Sequence, residues 1–247
     1  MADFGMAFQQ GLSFLLLRVP KSEAIFWPGC ALMKLGPEIL EKTMEVLRRE
    51  EPELQLAAGC CGQPTVYLFP EKWEKRRGKL VDILRKQGVK RIYTACPNCT
   101  LQMGELAEVI PIWAPLARNL RESDLAHNPG AFVWHDPCPI RHDPGQLEAV
   151  RELMELAGCD YTEPGNIRCC GNVRMLRSTD PEKSAAIRRR RLAELDENRT
   201  IASCCEGCLD AFRTEGRDTC HLLEILFGKS KNRSWGNRIQ NTKKAPL

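Results

Sequence analysis

Short apolar runs alternate with amphipathic stretches along the first half of the chain. Residues 24–27 form an apolar run that is typical of a buried strand. An amphipathic stretch begins near Pro37, and a second one ends at Gly88, where a glycine is typical of a helix end. Residues 91–95, with Ile92, Tyr93 and Thr94, are predicted to form another strand. The pattern therefore predicts alternating strands and helices, which is typical of a parallel sheet.

The same pattern returns in the second half. Residues 131–134 are an apolar run, and residues 200–203 are predicted as the strand before Cys205. An amphipathic stretch ends at Gly158, and Asp180 before Pro181 predicts a capped helix start. An internal repeat of this length indicates two similar structural units. The predicted fold class is therefore α/β, with two similar tandem lobes related by a pseudo-twofold. Each lobe is expected to be a small, mainly parallel sheet flanked by helices.

The boundaries follow from the repeat and from the polar segments around it. The first lobe is predicted at 22–118 and the second at 131–228, joined by a polar linker at 119–130. Residues 1–21 form an N-terminal extension with many apolar residues, interpreted either as a helix that caps the fold or as a docking segment for a partner. Residues 229–247 are basic and without periodicity, so a flexible tail is expected.

Composition narrows the class of protein. The 247 residues are 43% hydrophobic and 28% charged with a net charge of +4, which fits an ordinary globular protein and gives no reason to expect nucleic acid as a partner. No apolar run approaches the length of a membrane span, and the N-terminus lacks the basic region of a signal peptide. With 13 cysteines, an odd number, thiolates committed to metal in a reducing cytoplasm are a better interpretation than disulfides.

Ten of the cysteines form one pattern that occurs twice. The first copy comprises Cys30, Cys60, Cys61, Cys96 and Cys99, and the second Cys138, Cys169, Cys170, Cys205 and Cys208. The doublets lie 109 residues apart, and each is followed by a Cys-x-x-Cys pair 35 residues later. Five thiols exceed the four that a zinc ion or a cubane cluster takes, and adjacent cysteines suit a polynuclear group. The pattern favours iron–sulfur clusters, with zinc in at least one lobe or free thiols as the alternatives.

The duplicated Cys-Cys-Gly and Cys-x-x-Cys pattern resembles the cysteine-rich CCG domain found in the B-type subunit of heterodisulfide reductase and in related iron–sulfur proteins. The resemblance extends over residues 24–228. It implies that the five cysteines of each copy hold a noncubane [4Fe-4S] cluster, and that the two clusters face each other with a disulfide substrate between them. The implied function is that of an oxidoreductase subunit, an enzyme only together with its electron donors, which reduces a disulfide or exchanges electrons with a thiol.

Two absences bear on the partners. The chain has neither the cysteine run of a ferredoxin nor a Gly-x-Gly-x-x-Gly fingerprint for a flavin or nicotinamide. The resemblance therefore implies a ferredoxin-like iron–sulfur subunit, similar to the C-type subunit of heterodisulfide reductase, and a flavin or membrane-bound subunit as partners. Gln63 and Asn172 follow the two Cys-Cys-Gly motifs and leave the substrate open. The alternatives are an electron relay without its own substrate and a zinc-bearing scaffold.

Two histidines bracket Cys138. His135 and His142 are candidate proton donors for disulfide reduction, although a loop histidine with no catalytic role is the simpler interpretation. The arginines near the second motif are candidates for binding an anionic thiol, and the run 188–191 is expected to lie mostly on an exposed helix face. Three cysteines lie outside the pattern and are expected in the core: Cys159, Cys204 and Cys220.

Overall fold

The chain divides into two structural units. A computed structural model describes residues 17–127, 130–230 and 232–246. The first unit comprises the residues up to 112 together with the C-terminal segment from 232, and the second comprises residues 113–230. We refer to them as the first and second lobes. Most of the N-terminal extension lies outside the described residues, so both interpretations of it stay predictions.

The first lobe is built on a four-stranded parallel sheet. Its strands are β1 (Ala24–Trp27), β2 (Gln55–Leu56), β3 (Arg91–Thr94) and β4 (Glu108–Pro111). The order is β2-β1-β3-β4, and every pairing is parallel. All four side chains of β1 are buried, because helices cover both faces of a parallel sheet. The apolar run at 24–27 reflects this environment.

The described part of this lobe contains five α-helices. They are α1 (Pro37–Leu47), α2 (Gln63–Leu68), α3 (Pro70–Lys86), α4 (Pro97–Met103) and, after the second lobe, the C-terminal helix Trp235–Lys244. The first four have proline within the first two helical positions, where its missing N–H removes no helical hydrogen bond. Leu40, Met44 and Leu47 of α1 are buried, as their helical spacing predicts.

The second lobe repeats the sheet. Its strands are β5 (Ala131–Trp134), β6 (Asp160–Thr162), β7 (Thr200–Ser203) and β8 (Thr219–His221), in the parallel order β6-β5-β7-β8. Its helices are α5 (Trp113–Asn119), α6 (Pro144–Leu156), α7 (Leu176–Thr179), α8 (Pro181–Leu192), α9 (Glu206–Arg213) and α10 (Leu222–Phe227). Asp180 caps α8 by accepting a hydrogen bond from the Lys183 backbone N–H. The predicted α/β class with two similar lobes is confirmed.

The C-terminal segment differs from the flexible tail expected from its composition. Residues 235–244 form helix α11, and Asn241 on this helix is fully buried. Its side-chain amide donates hydrogen bonds to the carbonyls of Met33 and Leu35, both at 3.0 Å. The polar side chains of α11 thus satisfy backbone groups around the short 3-10 helix Leu32–Lys34. A search for apolar periodicity misses a helix that is anchored in this way.

The arginine run of α8 also differs from expectation. Arg189 and Arg190 are exposed, but Arg188 is 6% and Arg191 1% exposed. The expectation of a mostly exposed face is therefore wrong for half of the run. Residues three apart lie on the same face of a helix, and here that face is turned inwards. Among the described residues, no helix is both long enough and apolar enough to cross a membrane.

Candidate metal centres

Each lobe collects its five motif cysteines at the carboxyl ends of its strands. In the first lobe, Cys30 follows β1, the Cys60-Cys61 doublet follows β2, and Cys96 follows β3 as the N-cap of α4. In the second lobe, Cys205 is the equivalent N-cap, preceding α9. Parallel strands end at one edge of the sheet, so cysteines that are far apart in sequence meet there.

In the first lobe the five thiols form a continuous series of neighbours. Cys30 lies within hydrogen-bonding reach of Cys60, Cys60 of Cys61, Cys61 of Cys99, and Cys99 of Cys96. Cys60, Cys61 and Cys99 are buried, whereas Cys30 and Cys96 at the two ends of the series are partly exposed. The described thiols are all free. The structure thus brings together every cysteine that the first copy of the motif predicts.

The second lobe contains the same series. Cys138 lies within reach of Cys169, Cys169 of Cys170, Cys170 of Cys208, and Cys208 of Cys205. The order of motif positions is identical to that of the first lobe. Cys170, Cys205 and Cys208 are buried, and Cys138 and Cys169 are partly exposed. Each site therefore has a buried side and a side that solvent reaches.

Backbone contacts around the sulfurs also match between the lobes. The Gly62 N–H donates to Cys60 Sγ at 3.4 Å, and the Gly171 N–H donates to Cys169 Sγ at 3.3 Å. Both glycines have positive φ, +85° and +86°, a conformation that other residues rarely adopt. This turn points the amide back at the first sulfur of the doublet. The glycine of the motif is therefore explained by backbone geometry in both copies.

The thiols share protons among themselves. Hydrogen bonds from Cys60 and Cys99 lower the pKa of Cys61 to about 6 against the effect of burial. In the second lobe, hydrogen bonds from Cys138 and Cys170 lower the pKa of Cys169. One partner of each of these two thiols shifts the other way: hydrogen bonds and burial raise the pKa of Cys99, and a hydrogen bond with Cys169 together with burial raises the pKa of Cys170. Thiols that share protons in this way release them when a metal cation binds to the sulfurs instead.

His135 belongs to the second site. One of its imidazole nitrogens and the Sγ atoms of Cys170 and Cys208 all lie within 4.8 Å of one another. Arg191 Nε donates a hydrogen bond to His135 Nδ1 at 3.2 Å, and burial, followed by the Arg191 charge, lowers the pKa of His135 to about 3. A neutral imidazole at ordinary pH has no acidic proton to give, so this environment argues against His135 as a general acid.

The other residues singled out in the sequence lie in varied places. His142 is exposed, two residues beyond the 3-10 helix Cys138–Ile140. Of the three cysteines outside the motif, Cys204 and Cys220 are buried as expected, whereas Cys159 is only partly buried. Arg141 Nε donates to the Cys138 carbonyl at 3.0 Å, and Arg168 pairs with Glu194 at 3.1 Å. Both arginines therefore already hold groups of this chain.

Sequence reasoning missed a buried ion pair beside the second site. Asp136 is 7% exposed and pairs with Arg151 through both carboxylate oxygens, at 2.7 and 2.5 Å. The Nε1 atom of Trp134 donates to the same carboxylate at 2.8 Å. Asp136 lies two residues before Cys138, where the first lobe has Pro28 two residues before Cys30. An acidic residue at this position of the second copy was the available signal.

These donor sets fit a sulfur-coordinated metal group better than a single hard cation. Five soft thiols per site and adjacent cysteines suit a group with several metals. Among the described residues, the buried Nε1 of Trp27 and Nε2 of His135 have no hydrogen-bond partner, and each of these two residues packs in a region that contains thiols of its own lobe. Buried donors normally have an acceptor, and a cluster with additional sulfur atoms supplies one.

Comparison with known proteins identifies the family. A model of the cysteine-rich CCG domain matches residues 24–104 and again residues 132–213. The two matches cover more than half of the chain, each containing one series of thiols. The chain therefore belongs to the cysteine-rich CCG domain family.

A curated relative points in the same direction. A protein from Archaeoglobus profundus that is described as similar to the B-type subunit of heterodisulfide reductase is 30% identical over 125 residues. The alignment covers 41% of this chain and 40% of the relative, so the chain matches less than half of that protein's length.

Solved structures offer only weak similarity. An aspartate racemase from Picrophilus torridus has a TM-score of 0.32 at 12% identity, covering 91% of this chain and 95% of its own. An allantoin racemase from Klebsiella pneumoniae has a TM-score of 0.27 at 17% identity, covering 92% of this chain and 100% of its own. Similarities at this level carry no conclusion about activity.

Proposed function

We propose that the chain is an iron–sulfur oxidoreductase subunit that holds one five-cysteine [4Fe-4S] cluster of the noncubane type in each lobe. The observation that carries the proposal is the duplicated series of thiols, in the same order and with the same amide contact to the first sulfur of each doublet. Membership in the CCG family and the partial match to a relative of the B-type heterodisulfide reductase subunit support it.

The ligand sets are proposed motif by motif. In the first lobe the ligands are Cys30, Cys60, Cys61, Cys96 and Cys99. In the second lobe they are Cys138, Cys169, Cys170, Cys205 and Cys208. The three remaining cysteines are excluded, because none of them belongs to either series of thiols. Zinc in place of iron in one lobe is the competing assignment that soft thiols also permit.

The protein's part in the reaction is positioning and tuning. Clusters held in this way supply one-electron transfer, so two of them match the two electrons needed to cleave a disulfide. The chain contributes a partly exposed cysteine at one end of each series, Cys30 and Cys138, where a substrate or a donor protein has access. The buried thiols at the other side keep water away. His142, being exposed, is the better placed of the two histidines to deliver a proton.

The substrate class that we propose is a small thiol or disulfide, with electrons delivered by a ferredoxin-like iron–sulfur subunit and a flavin or membrane-bound subunit. These partners are proposed from the resemblance to heterodisulfide reductase and from the absence of a flavin or ferredoxin motif in the chain. A relay that passes electrons without a substrate uses the same ligands and is separated from a reductase by experiment.

The test is metal analysis and electron paramagnetic resonance of anaerobically purified full-length protein. We expect about eight irons per chain, from two four-iron clusters, and a paramagnetic signal that appears on oxidation only when a thiol substrate analogue is present. Eight irons without a response to thiol would indicate a relay. Zinc without iron would contradict the proposal. The Cys159→Ser variant is the matched control, because this thiol lies outside both series, and its iron content should equal that of the parent.

A further inference from the structure

Two buried N–H donors lie at equivalent positions of the two lobes. Trp27 and His135 are both fully buried. Among the described residues, the Trp27 Nε1 atom and the His135 Nε2 atom have no hydrogen-bond partner. A buried donor without an acceptor is unfavourable, and folded proteins rarely retain one without a reason. Finding such a donor in each lobe therefore points to an acceptor of the same kind in each lobe, outside the described residues.

The strand register establishes the equivalence. Trp27 pairs with Thr94, whose hydroxyl accepts a hydrogen bond from the Cys96 N–H at 3.3 Å. In the second lobe the Ser203 hydroxyl accepts the same bond from Cys205, also at 3.3 Å, so Ser203 corresponds to Thr94.

His135 stands beside Ser203 in the same way. Trp134 pairs with Ala202, the residue before Ser203. The backbone N–H of His135 continues the parallel pairing of the strands by donating to the Ala202 carbonyl at 2.8 Å. His135 therefore occupies in the second lobe the place of Trp27 in the first. Alignment on the apolar runs alone would instead match Trp134 with Trp27, because both end the run.

Trp27 and His135 lie in buried regions that contain the same pair of motif cysteines. Trp27 belongs to the buried cluster that contains Cys61 and Cys99. The second-lobe counterparts of these cysteines are Cys170 and Cys208, and an imidazole nitrogen of His135 lies within 4.8 Å of both sulfurs. Each residue therefore packs in the part of its lobe that holds the second cysteine of the doublet and the second cysteine of the Cys-x-x-Cys pair.

Arg191 determines which nitrogen of His135 carries the proton. A guanidinium N–H can only donate, so Nδ1, which receives the bond from Arg191 Nε at 3.2 Å, must be the acceptor. The proton of the neutral ring is then on Nε2. Arg191 is held in turn by Asn166 and Glu194, at 3.1 and 3.0 Å, and Phe212 packs edge-on against the imidazole with ring centroids 4.9 Å apart. With its proton on Nε2, His135 acts as an N–H donor and not as a metal ligand through that nitrogen.

We propose that Trp27 and His135 each donate an N–H···S hydrogen bond to the cluster of their own lobe, and that the two different donors give the clusters different reduction potentials. This inference rests on the proposed iron–sulfur function. Hydrogen bonds to cluster sulfurs stabilise the more negative, reduced form, so each donor raises the potential of its cluster. Trp27 and His135 are tuning residues, and Arg191 is a positioning residue that acts through His135.

The experiment measures each potential separately in the full-length, iron-loaded chain. Cys170→Ser removes the second cluster, so that Trp27→Phe can be tested on the first cluster alone. Cys61→Ser removes the first cluster, so that His135→Phe can be tested on the second. In each case we expect the equilibrium constant for reducing the remaining cluster to fall about tenfold, which lowers its one-electron reduction potential by about 59 mV. Electron paramagnetic resonance during a potentiometric titration gives the value.

Two further variants distinguish the loss of a hydrogen bond to the cluster from a change in side-chain packing. Trp134→Phe is the matched control, because this buried tryptophan already donates to Asp136, and the potential should not change. His135→Gln keeps an N–H donor and should recover most of the shift. Parent-like potentials in Trp27→Phe and His135→Phe, at unchanged iron content, would overturn the inference while leaving the proposed function intact. Parent protein without iron would instead remove the proposed function, and the inference with it.

If a variant fails to load iron, the hydrogen bond can still be tested in the protein with its original Trp27 and His135. Histidine or tryptophan labelled with 15N at the ring is incorporated, and the hyperfine coupling of that nitrogen to the paramagnetic cluster is recorded. A coupling from the labelled residue to the cluster of its own lobe supports the hydrogen bond. Its absence in both lobes would contradict it.

Discussion

The two lobes share their thiols but differ in what surrounds them. The order of neighbouring cysteines, the glycine amide on the first sulfur of the doublet and the hydroxyl before the Cys-x-x-Cys pair are the same in both. Around this common frame, the first lobe places Trp27 and the second places His135 with its bound Arg191. The arrangement of the thiols is thus the same in the two lobes, while the buried N–H donor in the thiol region of each lobe differs.

The second lobe also carries more buried charge. Arg188 and Arg191 are buried on α8, and Asp136 is buried with Arg151. In the first lobe, the corresponding connection after β1 contains Pro28 and Gly29 in place of charged residues. Gly29 is required there, because a Cβ would lie 2.7 Å from the Cβ of Cys96. Buried charges shift the properties of a nearby metal group strongly, so we expect the two sites to respond differently to the same change.

The largest expected effect is on iron content, and it tests whether the two thiol sites bind metal independently of one another. Cys61→Ser and Cys170→Ser each remove a central thiol from one series, so each should lower the iron content by about half, through loss or conversion of one four-iron cluster. The paramagnetic signals that remain in the two variants should differ from one another. Equal iron and unchanged spectra in both variants would contradict the five-cysteine assignment.

A smaller effect is expected from the ion pair that only the second lobe has. Asp136→Ala leaves the Trp134 side-chain N–H without its acceptor and Arg151 without its buried carboxylate, although Arg151 keeps Glu163, so we expect a loss of about 1–3 kcal/mol. Hydrogen exchange should therefore accelerate in β5 and β7 but not in β1 and β3. Glu163→Ala is the control: it removes the more exposed partner of the same arginine and should cost at most about 1 kcal/mol. Equal effects of the two variants would show that burial of Asp136 does not matter.

The smallest expected effect is on stability, and it distinguishes the two motif glycines, Gly62 and Gly171. Alanine at either position must adopt positive φ, which costs about 1–2 kcal/mol. A Cβ at Gly171 would also lie 2.4 Å from the backbone oxygen of Ser184, whereas at Gly62 it would meet the ring of Trp73, a partly exposed side chain that can move. Gly171→Ala should thus destabilise its lobe more than Gly62→Ala. Thermal unfolding compares them, with Gly165→Ala as a control in open space; the reverse order would refute the argument.

Much of the fold and most of the candidate site were predictable because they depend on local signals. Apolar runs of four residues predicted β1 and β5, the short segment 200–203 was predicted as the strand that became β7, and prolines and glycines marked helix ends. The cysteine spacing predicted which thiols meet, since cysteines that follow parallel strands converge at one edge of the sheet. In the structure, helix α5 groups with the second lobe and the C-terminal helix α11 with the first.

Several contacts were not predictable because they join residues that are distant in sequence. Arg191 and His135 are 56 residues apart, and Asn241 reaches Leu35 across 206. No local pattern indicates such partners, and polar or charged side chains are interpreted as exposed when their partners are unknown. The helical tail and the inward-facing arginines were missed for this reason.

By itself, the sequence determined the chemistry and the periodicity of this protein: ten thiols in two equal sets, attached to alternating strands and helices. Only the tertiary structure decided the environment of each set, because burial, tautomer and hydrogen-bond partners depend on what the fold brings alongside. Trp27 and His135 illustrate the division. They are unrelated residues in an alignment by apolar runs, although each lies three positions before the first cysteine of its motif, and the register of the parallel sheet shows that they occupy equivalent places.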